Sequence, residues 1–312
     1  GFGYPAAGLR APETLLLVHL LAIGWLSLLM CGALFQFVPV LIARPLYSDT
    51  LPLPTLLLLV AGLLLLLCGF LQLAGMLAHP FPVLPLGGLL LLAGFALAIY
   101  NLGRTLWAAR PLPLPARFVA VALLALAATA LLGLLFTLGL AAMAGGGVLA
   151  YIAALGLPLH IVAALGGWLT FAAIGVSYRL LAMFMLAPEL DGRRPHALLW
   201  LGTLALAVAI LGGLVELLAI GSTGIALLLG FVLGLVGIGL YAADIRRLYK
   251  ERKRPVIELN SQMAAFAVGA LVASMLLLAV LLAAGLLGEH VAAVLFLFAF
   301  GWLSGLGLAK LY

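Results

Sequence analysis

The sequence predicts an all-α fold, a polytopic transmembrane helical bundle of about nine helices. Of the 312 residues, 67% are hydrophobic and 8% are charged, which leaves too few charges to cover the surface of a soluble protein of this size. Apolar runs of about 20 or more residues recur along the chain, and each is long enough to cross a hydrocarbon core of about 30 Å. The runs do not alternate polar with apolar residues, so the pattern favours helices over a transmembrane barrel.

Clusters of proline and glycine divide the chain into nine predicted spans. In order, the spans cover residues 12–42, 53–77, 84–109, 115–143, 150–186, 197–219, 222–249, 259–286 and 289–312. All connections between them are short, which indicates a single transmembrane domain over residues 1–312. The chain begins without a methionine and stops within a helical pattern, so we expect further residues at both ends.

The distribution of basic residues predicts the orientation of the bundle. Under the nine-span arrangement, 14 of the 15 Lys and Arg residues fall at one end of the spans, and only Arg10 falls at the other. Cytoplasmic loops retain positive charge, so we expect a multi-pass protein of the inner (cytoplasmic) membrane with its N-terminus outside. The net charge of +6 is then a topology signal. The net charge has no bearing on nucleic acid. The expected partner is the lipid bilayer, because the chain is so apolar, and a homo-oligomer is left open.

A short motif recurs in spans 1, 5 and 9. Its copies are Gly24-Trp25-Leu26-Ser27, Gly167-Trp168-Leu169-Thr170 and Gly301-Trp302-Leu303-Ser304. A histidine precedes each tryptophan, namely His19, His160 and His290. The period is four helices, so every copy crosses the membrane in the same direction. The chain therefore divides into pseudo-repeats at about 12–143 and 150–286, with an incomplete third at 289–312.

The three histidines are candidate metal ligands near the outer face. Intramembrane ionisable residues are functional candidates by default, and neutral imidazole is a common ligand of iron, copper and zinc. The histidines precede their tryptophans by six, eight and twelve residues, which spreads them over about 9 Å in depth. Taken alone, His19 could be a hydrogen-bonded packing residue and His290 an interfacial one. His79 and His196 lie in predicted loops and are interpreted as structural or solvated.

This layout resembles subunit I of the haem-copper oxidase and nitric oxide reductase superfamily. That family is built from four-helix arcs, and its helices 2, 6 and 10 carry haem and copper ligands. The matching positions are His19, His160 and His290, with the family's first helix absent here. The resemblance implies one haem b bound between His19 and His290, while His160 faces the same site or holds a second metal.

Departures from the family pattern limit the chemistry that the resemblance implies. Oxygen-reducing members carry adjacent histidines on the helix after the copper-ligand helix and a His-x-His pair on the tenth helix, and neither pattern occurs here. Five histidines cannot supply the ligands of two haems and a copper. The interpretation that remains is a small relative of this family with a single haem, and the number of histidines disfavours copper.

Two further polar residues are candidates for the same site. Glu216 lies near the outer end of span 6, where it could join the metal ligands or orient an imidazole, or be an interfacial residue. Arg10 is the only cation at the outer end. The resemblance implies that it pairs with a haem propionate, and contact with a lipid headgroup is the alternative.

The expected function follows from the resemblance. It implies a haem b protein that binds a diatomic gas, nitric oxide first, for sensing or detoxification, or that transfers electrons from a donor. As an enzyme, it would be a haem-dependent oxidoreductase acting on nitric oxide or oxygen. The alternative is a small-solute or metal-ion transporter or channel without haem, and a third option is a structural subunit of a respiratory assembly. Haem absorbance would separate the first from the other two.

Overall fold

The computed structural model describes residues 2–4, 6–78, 81, 83–141 and 147–311. These residues form helices and connecting turns and contain no strand. The helices are, in order, α1 (Pro12–Ile42), α2 (Pro52–Leu73), α3 (Val83–Ala108), α4 (Leu114–Ala141), α5 (Val148–Leu155), α6 (Leu157–Met185), α7 (Arg193–Ile220), α8 (Gly224–Lys250), α9 (Leu259–Ala283) and α10 (Leu287–Ala309). Within the described ranges, all except the short α5 are long and apolar enough to cross a membrane. The predicted all-α, multi-pass bundle is confirmed.

Two helix boundaries differ from the prediction because of where proline falls. The predicted fifth span is broken at Gly156, and α6 starts afresh with Pro158 in its first turn. The sixth span starts at Arg193, earlier than predicted, because Pro195 is tolerated in the first turn, where its missing N–H costs nothing. The prediction of a loop at His196 is therefore wrong, since His196 is helical. The predicted loop at His79 lies outside the described residues.

Helices that follow one another in sequence pack against each other through glycine. A Cβ at Gly62 of α2 would lie 2.8 Å from the backbone nitrogen of Leu91, and one at Gly87 of α3 would lie 2.6 Å from the backbone nitrogen of Leu66. At both positions the two backbones leave no room for a side chain. Small residues at helix contacts are how membrane helices gain packing energy, because lipid offers no hydrophobic driving force between them.

The three copies of the tryptophan motif share an uncommon backbone form. Helices α1, α6 and α10 change from α-helical to π-helical hydrogen bonding over Leu20–Ser27, Val162–Leu169 and Leu297–Ser304. Each stretch ends within the repeated tetrapeptide. π-helical stretches are rare and usually short, so three stretches of eight residues at the same motif are a shared structural feature of these helices.

The tryptophans of the motif link the three helices in a cycle. Each indole N–H donates to the hydroxyl that closes the motif in another copy, in the order Trp25 to Ser304 (3.2 Å), Trp168 to Ser27 (3.2 Å) and Trp302 to Thr170 (3.3 Å). Trp168 and Trp302 are fully buried, whereas Trp25 is 40% exposed. Helices α1, α6 and α10 therefore contact one another through the motif, although they are far apart in sequence.

The basic residues gather at one end of the bundle, as the nine-span arrangement predicts. The segment after α8 returns to the end of α6, where the backbone nitrogen of Lys253 donates to the carbonyl of Met185 (3.2 Å). The segment after α1 is fixed to α3, because Ser48 and Asn101 exchange two hydrogen bonds of 3.0 and 2.8 Å. The histidines His19 and His160 lie towards the opposite end.

Candidate functional site

His19 is held by the backbone of its own helix. It closes the α-helical start of α1, immediately before the π-helical stretch. Its Nδ1 lies 2.7 Å from the carbonyl oxygen of Leu15. A carbonyl only accepts, so Nδ1 carries the proton and Nε2 keeps its lone pair. Metal-ligating histidines commonly donate their other ring N–H to a backbone carbonyl, which fixes the ring and raises its basicity.

His160 is the fourth residue of α6, and its ring is incompletely hydrogen-bonded. The Nδ1 atom is buried and has no hydrogen-bond partner in the described part of the chain, although the backbone of Thr129 lies beside the ring. An unpaired buried polar atom is costly. Gly133 of α4 makes room for this ring, because a Cβ there would lie 3.3 Å from Cε1 of His160.

The structure brings His19 and His160 together across the α1–α6 contact. Their ring centroids are 6.4 Å apart and their planes are inclined by 25°. With metal–nitrogen bonds of about 2 Å and half of each ring added, an ion shared by two imidazoles holds their centroids about 6 Å apart. The two rings are stacked, and their separation is close to that of two imidazoles on opposite sides of a shared ion.

Aromatic side chains flank the histidine pair. The Phe70 ring of α2 lies 5.1 Å from that of His19, and the Phe136 ring of α4 lies 5.3 Å from that of His160. Both phenylalanines are in the last two turns of their helices, which run opposite to α1 and α6. The pair thus lies one to two turns inside the end of the bundle opposite the basic residues, in an apolar environment that would exclude water from a cofactor.

The number of donors separates the kinds of metal that the pair could hold. Among the described residues, no group of three or more His, Cys, Asp or Glu side chains could hold a metal ion. Zinc in proteins takes four ligands, and a blue-copper site takes three strong ones. Haem iron receives four nitrogens from the macrocycle and needs only axial ligands from the protein. Two imidazoles match the number of ligands that a haem takes from the protein, whereas a zinc or blue-copper site would need further ligands.

His290 does not join this pair. It lies in the first turn of α10, its side chain is 54% exposed, and its Nε2 lies 4.0 Å from the Glu289 carboxylate. His290 precedes Trp302 by twice as many residues as His19 precedes Trp25. In the aligned motif it is therefore about two turns further out. The resemblance pairs His19 with His290, whereas the structure pairs His19 with His160.

Glu216 and Arg10 are engaged with helix ends. The Glu216 carboxylate accepts hydrogen bonds from the backbone nitrogens of Ile225 (3.2 Å) and Ala226 (2.8 Å), so it caps the first turn of α8, where a negative charge is favoured. The Arg10 guanidinium donates to the carbonyl of Ala154 (2.9 Å) near the end of α5. Arg10 therefore reaches the segment that leads into His160, and its remaining donors could meet a propionate there.

Sequence reasoning missed a second polar group, at the basic end of the bundle. The Asp244 carboxylate of α8 is buried and accepts a hydrogen bond from the Tyr178 hydroxyl (2.9 Å). Beside it, the hydroxyls of Tyr241 and Ser177 are 2.7 Å apart. The sequence signal that could have found it is a lone aspartate inside an apolar span, because such a residue needs a partner.

None of the protein-family models, curated proteins or solved structures compared with this chain matches it.

Proposed function

We propose that this chain is a haem b-binding integral membrane protein in which His19 and His160 would hold the haem iron. The observation that carries the proposal is the histidine pair, with ring centroids 6.4 Å apart and a buried, unpartnered Nδ1 on His160. The proposal retains the single haem implied by the family resemblance and replaces His290 with His160 as the second ligand.

Electron transfer is the role that this ligand pair supports best. Bound haem b would supply one-electron redox chemistry. The hydrogen bond from His19 to Leu15 orients one imidazole, and Phe70 and Phe136 pack beside the two rings. Both imidazoles would be used to hold the haem, so binding of nitric oxide would displace one of them. We assign that part to His160, because its Nδ1 has no hydrogen-bond partner in the described part of the chain.

The absorption spectrum of the purified protein tests the proposal. We expect a Soret band from about one haem per chain. His19→Ala and His160→Ala should each lose most of the bound haem or change its spectrum to that of a five-coordinate iron, because each removes one axial ligand. Exogenous imidazole should restore the wild-type spectrum of His19→Gly.

His290→Ala is the matched control, since it removes a histidine that is 54% exposed and leaves the pair intact. It should keep the wild-type spectrum. Haem retained in His160→Ala but lost in His290→Ala would replace the proposed pair with the pair implied by the resemblance. A colourless wild-type protein that is fully helical by circular dichroism would remove haem and favour the transporter or structural-subunit alternatives.

We also propose that the basic end of the bundle faces the cytoplasm, with the N-terminus outside. The support is the excess of Lys and Arg at that end. In intact spheroplasts, an impermeant maleimide should label Ser222→Cys, in the α7–α8 turn. It should label Thr50→Cys, in the α1–α2 turn, only after the membrane has been permeabilised. Both positions are exposed, and the native Cys31 and Cys68 lie within helices. The reverse labelling pattern would invert the orientation.

A further inference from the structure

A cavity of about 580 Å³ opens at the basic end, where the start of α7 meets the last turns of α8. Four cationic side chains and one carboxylate line it, together with two alanines. The charged residues are Arg194, Arg246, Arg247, Lys250 and Glu251. The cavity is larger than a single ion, and four of its seven lining residues are cationic. It lies at the end of the bundle opposite the histidine pair, so it is independent of the proposed haem.

Carboxylates neutralise only part of this charge. Arg247 pairs with Glu251 through Nε (2.8 Å), and Arg194 lies 3.5 Å from the buried Asp244 carboxylate. In the described part of the chain, neither Arg246 nor Lys250 makes an ion pair. Four cations against two carboxylates leave two positive charges without a counterion from the protein. Lys and Arg residues that serve only to orient the helices need not line a cavity, and they need not lack counterions.

The donors in the cavity have the chemistry that phosphate requires. Arginine presents several N–H donors in a planar fork that matches phosphate oxygens, and lysine adds a point charge. Arg194 is also the second residue of α7, whose N-terminus has no side-chain cap. The backbone N–H groups of a helix start favour an anion nearby.

The surroundings of the cavity are those of a membrane surface. Trp200 of α7 is 67% exposed and lies about two turns from Arg194, at the depth where tryptophan meets the headgroup region. In the preceding turns of α8, Val236 and Val232 are exposed. An acyl chain could lie along these valines while its headgroup occupies the cavity.

We propose that this cavity binds a phosphate group, supplied by the headgroup of an anionic phospholipid or by a small soluble phosphate compound. Arg246 and Lys250 are the residues free to hold it, and Arg194 and Arg247 complete the ring of donors. Anionic lipids bind basic pockets at the cytoplasmic ends of membrane helices through the same chemistry.

The test compares two double variants with the wild-type protein. The first, Arg246→Gln with Lys250→Gln, removes the unpaired cations and leaves both ion pairs of the cavity in place. The matched control, Arg44→Gln with Arg117→Gln, removes the same charge from exposed positions at the same end. Lipid binding is measured by native mass spectrometry after exchange into phosphatidylglycerol and phosphatidylcholine, and phosphate binding by calorimetry with inorganic phosphate.

We expect the wild type and the control to retain phosphatidylglycerol in preference to phosphatidylcholine, and the cavity variant to bind it about tenfold more weakly or worse. Binding of inorganic phosphate without preference for phosphatidylglycerol would instead identify a soluble ligand. The proposal is overturned if the cavity variant binds both probes as the wild type does, or if the wild type binds neither. A correctly folded variant is recognised by a circular dichroism spectrum and melting curve like those of the control.

Discussion

Asp244 illustrates how a single ionisable residue is accommodated inside a membrane helix. Its side chain is 2% exposed, it accepts a hydrogen bond of 2.9 Å from Tyr178, and Arg194 lies 3.5 Å away. Asp244 is also less than two turns from the end of α8, so Arg194 can reach it from the membrane surface. A charge is costly in lipid unless it is paired and hydrogen-bonded, and these two contacts meet that requirement.

Replacing Tyr178 with Phe should destabilise the protein by about 1–2 kcal/mol, because it removes a hydrogen bond to a buried carboxylate and adds no new contact. The loss can be measured by SDS-induced unfolding in detergent micelles. Tyr100→Phe serves as the control, since its hydroxyl bonds to that of Tyr47 at an exposed position. Equal stability of both variants would indicate that Asp244 is held by Arg194 alone.

At the same scale, the sequence was informative about which residue types matter and uninformative about their partners. His19 and His160 were candidates because imidazole is rare and costly in lipid. Gly133 was not a candidate, because nothing distinguishes one glycine among 37 until the ring that it accommodates is known. The pairing of Asp244 with Tyr178 depends on how α6 is rotated towards α8, which spacing along the chain does not specify.

At the scale of helices, glycine determines how closely the α2–α3 pair can approach. Gly62 and Gly87 face each other's helices, and a Cβ at either would lie within 3.0 Å of a backbone nitrogen. Backbone atoms cannot move aside as a flexible side chain can, so any larger residue must separate the two helices. The contacts that surround both glycines would then be lost together.

We therefore expect Gly87→Ala to destabilise the protein by about 1–3 kcal/mol, the usual cost of overpacking. Gly103→Ala, on the same helix, is the control. A Cβ there meets nothing within 4 Å, and alanine is the better helix former, so its stability should be unchanged or raised by up to about 1 kcal/mol. Thermal unfolding in micelles distinguishes the two, and an unchanged melting temperature for Gly87→Ala would disprove the close contact.

The π-helical stretches show what sequence patterns leave out at this scale. The motif predicted a repeat within helices, and helices formed where the apolar runs predicted them. The change of hydrogen bonding within α1, α6 and α10 was not predicted, because π-helical turns are rare and no sequence pattern considered for these spans indicates them. In these three helices the change coincides with a tryptophan that donates to a neighbouring helix, whereas the shorter π-helical stretch of α7, Val208–Gly212, contains none.

At the scale of the whole molecule, the cycle of three tryptophan bonds connects helices that no short loop joins. Trp168 and Trp302 are fully buried, so their indole N–H groups must find partners inside the bundle. The hydroxyls of Ser27 and Thr170 supply those partners. Because each bond joins two different copies of the motif, the cycle sets the arrangement of α1, α6 and α10, and with it the approach of His19 to His160.

Thr170→Val should cost about 1–3 kcal/mol, because it leaves the buried Trp302 N–H without an acceptor while preserving side-chain shape. Thr203→Val is the control, since the Thr203 hydroxyl bonds only to the carbonyl of Leu199 on its own helix. If the cycle positions the histidines, Thr170→Val should also alter the haem spectrum and Thr203→Val should not. An unaltered spectrum in a destabilised Thr170→Val protein would separate the cycle from the haem site.

The lengths of the apolar runs and the positions of Lys and Arg were sufficient to predict the nine membrane-length helices found among the described residues and the gathering of basic residues at one end. Lipid imposes these features on the chain directly, because a spanning segment must be apolar over about 20 residues and must bond its own backbone. The resemblance to haem-copper oxidases rests on the motif and its histidines, and it stays a prediction.

The partners of the histidines emerged from the packing of the bundle. Distance from a helix end gives the depth of a side chain, but its direction depends on how each helix is rotated and which helix it meets. The spacings to the motif tryptophans placed the three histidines towards one end of the spans, and the resemblance implied His290 as the partner of His19. The α1–α6 contact, held by Trp168 and Ser27, brings His160 to His19, while the position of His290 at the start of α10 leaves it half exposed.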